Sequence, residues 1–165
     1  MAFDIDAFQT DMPAEILAIL RDAEAPYTRS EEAQAAVNSA VAHAPDNLAL
    51  RIAAYTFCVY ANRLHDALPH AEMCLVIAAR ALELPEDWRL VGPDSADFGR
   101  LERMPRVYLK SLLALGFCRA RLGDREGGEE LLRKAASLDP QDRIGAGELA
   151  DVIAHGGVRE DGEDG

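Results

Sequence analysis

Lysine is almost missing from this chain of 165 residues: Lys110 and Lys134 are the only two among 17 basic residues, set against 29 Asp and Glu for a net charge of −12. That deficit argues against a nucleic-acid partner held through its phosphates, which needs clustered positive charge. Aromatics are scarce too, at 6% with a single Trp, so the core has to be aliphatic. Cys58, Cys74 and Cys118 are odd in number, widely spaced and without a CxxC pair, which speaks against a disulfide framework and suits a reducing compartment. Arg51 and Arg80 interrupt the longest apolar stretches, leaving none long enough to span a membrane. The opening Met-Ala-Phe-Asp-Ile-Asp lacks the basic-then-apolar order of a signal peptide. The expectation is a cytoplasmic protein whose partner is neither nucleic acid nor membrane.

What is abundant points to helix. Ala occurs 29 times and Leu, Arg and Glu are common, while Val, Ile and Thr are few. Pro13 and the preceding Asp11 open a first helix over Ala14–Asp22, which Pro26 stops. Thr28 and Glu31 stand at capping-box spacing, ahead of Ala33, Ala36, Val37, Ala40 and Val41 at helical period. Pro45-Asp-Asn47 ends that helix and caps the next, Leu48–Ala61, with Asn62 as a left-handed terminator. A further helix starts near Leu64 and runs to about Leu82, with Pro69 placed near its first turn. Residues 84–104 form a long loop with two Pro, two Gly, Trp88 and Phe98, the two aromatics favouring a packed loop. Helices follow over Pro105–Leu122, Arg125–Leu138 and Arg143–Ala154, the last burying Ile144, Leu149, Val152 and Ile153. One domain over 1–155 and a disordered acidic tail over 156–165 complete the expected organisation.

Leu109–Asp142, LKSLLALGFCRARLGDREGGEELLRKAASLDPQD, resembles a tetratricopeptide repeat, a helical hairpin of about 34 residues. Gly116 falls at the eighth repeat position, where a small residue lets two helices approach. Gly123 takes the turn, Ala135 the twenty-seventh position and Pro140 the helix-stopping thirty-second. Gly128 stands where the family usually has Ala, a change expected to weaken its helix by about 0.5–1 kcal/mol. Ala33, Ala40 and Pro45 fit the second half of an earlier repeat, and Leu48–Cys74 follows in phase, though Tyr55 and Arg51 depart from the pattern. The resemblance implies an all-α fold: a short right-handed α-solenoid of about three such hairpins with a C-terminal capping helix. The stretch from Arg51 through Asp87-Trp88-Arg89 to Gly116 also looks like small bacterial tetratricopeptide proteins, some of them associated with nitrogen-fixation gene clusters.

Such proteins bind partners along the first helices of their hairpins. By phase, the resemblance places a concave groove at Ile52, Thr56, Val59 and Tyr60 in the middle unit and at Lys110, Leu113, Phe117 and Arg121 in the last. Ala53, Ala114, Thr56 and Phe117 occupy the positions of the family's carboxylate clamp, which argues against capture of a free C-terminus. Residues 91–120 hold five basic against three acidic residues, and Arg103, Arg106 and Lys110 share one helical face as a basic patch. The function expected is a non-catalytic interaction module, an adaptor or assembly factor for a peptide or amphipathic helix with acidic character. A homodimer closing the groove on itself is the alternative. His65, Asp66, His70 and Cys74, with Asp66, His70 and Cys74 at i, i+4 and i+8, make a metal or nucleophile reading possible. Burial of Cys74 as a small hydrophobe is favoured over it. No nucleotide or nucleophile motif is present, so neither catalysis nor a metal or other cofactor is expected.

Overall fold

The structure is a computed structural model and describes residues 28–100 and 102–156, together with Ala18. Among these are six α-helices and two 3₁₀ turns, with no strand: α1 (Ser30–His43), α2 (Leu48–Tyr60), α3 (Leu64–Ala81), the 3₁₀ turns Trp88–Leu90 and Phe98–Arg100, α4 (Arg103–Arg121), α5 (Arg125–Leu138) and α6 (Ala146–Ala154). The chain is all-α. Its packing divides into two compact units, Met1–Met73 and Cys74–Gly165, with the boundary inside α3. The helix expected at Ala14–Asp22 and the tail from residue 157 onward lie outside the described residues.

In the first unit α1 packs on α2. α1 buries Ala33, Val37, Ala40 and Val41, the row its sequence period predicts. α2 answers with Leu50, Ala53, Ala54, Phe57 and Cys58. Asn47 caps α2, its side chain accepting the Leu50 N–H at 3.0 Å. Asn62 follows the helix at φ 59, the left-handed conformation that Asn tolerates. Two expectations are corrected here. Thr28 is itself helical, and Arg29 is the N-cap of α1 without a side-chain cap bond, so the capping box does not define this start. Pro69 lies inside α3 rather than in its first turn. Its exposed ring is accommodated in a continuous helix at the loss of one backbone hydrogen bond.

The second unit is built on α4 and α5, joined through Leu122, Gly123 and Asp124, with α6 packed on both. Gly123 turns the chain at φ 108. Asp124 then caps α5 through the Gly127 N–H at 2.9 Å. Leu109, Leu112, Leu115, Leu131, Leu132, Ala135 and Leu138 are buried between the helices, each large side chain contributing about 1.5–3 kcal/mol. The helices touch backbone to backbone at Gly116 and Gly128. A Cβ on Gly128 would stand 2.5 Å from the Gly116 carbonyl oxygen and 2.8 Å from the Ala120 nitrogen. One on Gly116 would stand 2.8 Å from the Gly128 oxygen. Gly128 is therefore required by the crossing, a packing role that stands beside the intrinsic helix penalty expected of it.

α6 begins at Ala146, three residues later than the sequence suggests, because Asp142 and Gly145 adopt positive φ. Asp142 closes the start by accepting the Gly147 and Glu148 N–H groups at 2.8 and 3.1 Å. Its buried stripe is Ala146, Ala150 and Ile153, whereas Val152 is 42% exposed. The long loop is a packed wall of this unit: Val91 and Phe98 are buried, and Phe98 meets Tyr108 with ring centroids 6.1 Å apart. Lys134 Nζ donates to the Arg89 and Val91 carbonyls at 3.1 and 2.6 Å. Arg89 grips Glu130 through two nitrogens and lies over Trp88 at 4.4 Å, and Arg143 donates to the Gly99 carbonyl. Burial also pushes the Tyr108 hydroxyl up to about 12, with Asp87 adding to it.

Candidate protein-binding surface

Helical geometry turns two separate sequence features into one. At 100° per residue, Arg103, Arg106, Lys110, Leu113, Phe117 and Arg121 fall within about 80° of one another around α4. The four cations are exposed and the two apolar side chains half-buried. Arg121 curls over the Phe117 ring at 5.6 Å, a contact that weights the apolar end of the row with positive charge. The basic patch and the second-unit groove residues thus form a single stripe, cationic at the start of α4 and apolar with a terminal arginine at its end. The i, i+4 spacing of Phe117 and Arg121 carries that signal in the sequence.

The opposite face of α4 explains why this stripe points away from the hairpin core. Tyr108, Leu109, Ser111, Leu112, Leu115, Gly116 and Cys118 are buried. Burial drives the Cys118 thiol up to about 11 despite Arg121, so it is held as a thiol and packs as a small hydrophobe.

In the first unit, Ile52, Thr56, Val59 and Tyr60 share a face of α2. Ile52, Thr56 and Val59 are half-buried and Tyr60 is 42% exposed. The Thr56 hydroxyl donates to the Ile52 carbonyl at 2.7 Å, so it turns inward and the face is apolar apart from the Tyr60 hydroxyl.

The row on α3 is divided in character. His65 and Asp66 are exposed, while His70 is buried and Cys74 fully so. Arg51 Nη1 donates to His70 Nδ1 at 3.0 Å while Arg51 Nε donates to the Pro45 carbonyl at 2.8 Å. Since a guanidinium only donates, Nδ1 is the acceptor and the proton resides on Nε2. Burial foremost, then Arg51, lowers the His70 pKa, with Asp66 pulling the other way. Arg51, which the repeat pattern would replace by a large apolar residue, is thereby explained as the tie between α3 and the turn before α2. Among the described residues no three His, Cys, Asp or Glu side chains are grouped to hold a metal ion, and no helix is long and apolar enough to cross a membrane.

No family model and no solved structure matches the chain. It is similar to an uncharacterized 19.8 kDa protein of the nifW 5′ region of Azotobacter chroococcum mcd 1, with 34% identity over 117 residues, 70% of this chain and 66% of that protein's length.

Proposed function

We propose that this chain is a tetratricopeptide-like, non-catalytic interaction module, an adaptor or assembly factor whose helix α4 receives a helix or extended peptide of another protein. The observation that carries the reading is the α4 stripe: half-buried Leu113 and Phe117 bracketed by exposed Lys110 and Arg121 on a packed hairpin. Apolar anchors ringed by charge are what a peptide-binding helix face offers. The close Gly116–Gly128 crossing and the Gly123 turn support the repeat-like reading of the hairpin. The face of Ile52, Val59 and Tyr60 on α2 is read as a second apolar binding surface.

Affinity purification of the tagged full chain from its native organism, with bound proteins identified by mass, tests this. The expected result is a stoichiometric partner that is lost when Phe117 and Tyr60 are both changed to Ala, with circular dichroism still helical. Undiminished capture by that variant overturns the assignment of the surface. Light scattering of the purified chain separates this reading from self-association, which requires more than a monomer.

A second reading concerns where the partner works. The similar Azotobacter protein is named for its place in the nifW 5′ region, which supports a role alongside nitrogen-fixation functions. Loss of the gene should then slow growth on dinitrogen and leave growth on ammonium unchanged.

A further inference from the structure

Most cations of the second unit are already engaged. Arg89 pairs with Glu130, Arg100 with Asp97 and Glu102, Arg119 with Asp124, and Arg133 with Glu129 and Asp151. Arg125, Lys134 and Arg143 donate to backbone carbonyls. Those without an ion pair or hydrogen bond among the described residues are Arg80 on α3 and Arg103, Arg106, Lys110 and Arg121 on α4. In a chain with 29 acidic side chains against 17 basic ones, four cations along one helix face without an ion pair or hydrogen bond, Arg121 resting only on the Phe117 ring, are a concentration of available positive charge.

We infer that this face of α4 seats an acidic amphipathic helix of a partner protein, with carboxylates opposite Arg106 and Lys110 and apolar side chains on Leu113 and Phe117. The inference rests on the interaction-module reading and adds the partner's chemistry to it. Arg106 to Lys110 and Leu113 to Phe117 are each one i, i+4 step, about 6 Å of rise. A helix lying along α4 matches them with Glu at i and i+4 and Leu at i+7 and i+11. Arginine and lysine donate charge-assisted hydrogen bonds to such carboxylates. A nucleic acid fits poorly: the net charge of −12 repels a polyanion approaching from a distance, and the half-buried Leu113 and Phe117 side chains offer phosphates no hydrogen bond.

The test is fluorescence anisotropy with the full chain and a labelled helical peptide of about 20 residues carrying that Glu and Leu spacing. Its controls are the same peptide with Gln for Glu and a single-stranded oligothymidylate. The Glu peptide should bind at least about tenfold more tightly than the Gln peptide, and the preference should shrink as salt rises. The double variant Arg106→Glu, Lys110→Glu, at two exposed positions, should invert the preference. Equal binding of the two peptides, an unaffected double variant, or binding of the oligonucleotide in their place overturns the inference. So does a dimer of the wild-type chain that the double variant dissociates, because the occupant is then a second copy. If the double variant keeps the partner captured from cells while Phe117→Ala loses it, the interaction-module reading stands and the acidic-partner inference alone fails.

Discussion

All 12 glycines lie at or after residue 92, so α1 and α2 of the first unit pack without one, while α4 and α5 of the second meet through two. The first pair packs with alanines among its buried residues, Ala33 and Ala40 on α1 and Ala53 and Ala54 on α2. In the second pair the backbones themselves touch at Gly116 and Gly128. The turns differ in the same sense. Asn62 sits at φ 59, inside the left-handed region that Asn tolerates, whereas Gly123 sits at φ 108, where a side chain is strained. Alanine is thus sufficient for a helix contact of ordinary spacing, and glycine is needed where one backbone leans on another.

Substitutions can break this comparison, beginning with the largest effect. Phe57→Ala empties the largest buried side chain of α2, the helix that packs on α1, and should cost about 3–5 kcal/mol in urea unfolding. A loss below about 1 kcal/mol would mean that this contact is not a close-packed core. Gly128→Ala should destabilise by about 1–3 kcal/mol through overpacking, although the same change in an open helix gains about 0.5–1 kcal/mol. Its sign is decisive, since a stabilised variant refutes the backbone contact. Gly123→Ala should cost about 1–3 kcal/mol, the price of a strained backbone, and Asn62→Gly should shift the melting temperature hardly at all. Asn47→Ala, which removes the α2 cap, should cost about 1 kcal/mol.

The smallest effect is pH-dependent and belongs to the first unit. The folded His70 pKa lies below the ordinary 6.5 because of burial and Arg51, so protonation is disfavoured in the folded state. This contribution to stability is complete above about pH 6.5 and is lost as the pH falls through that value toward the folded pKa. The urea midpoint should decline over that window in the wild type and decline less in His70→Gln.

Much of the helical framework can be read from neighbouring residues. Asn47, Asn62, Gly123 and Asp124 mark helix ends through bonds and dihedrals confined to a few residues, and the predicted α5 coincides with the observed Arg125–Leu138. Part of the stripe is equally accessible, since Arg103, Arg106 and Lys110 share a face by arithmetic. The start of α6 escaped because Asp142 and Gly145 take positive φ in a sequence that reads as helical throughout. The exposure of Val152 escaped because Ala146, Ala150 and Ile153 fill the narrow buried stripe.

Local chemistry therefore specified an acidic, alanine-rich set of helices and where most of them stop. Three-dimensional packing settled matters that depend on atoms far apart in the chain. It made Gly128 obligatory by bringing Gly116 against it, gave Arg51 its purpose beside His70, and tied the loop around Trp88 to Glu130 and Lys134 on α5. It also engaged most of the second unit's arginines and left those on one face of α4 available. A dihedral preference is a property of a residue and its neighbours, whereas the cost of a Cβ or the availability of a charge depends on what the fold places within a few ångströms of it.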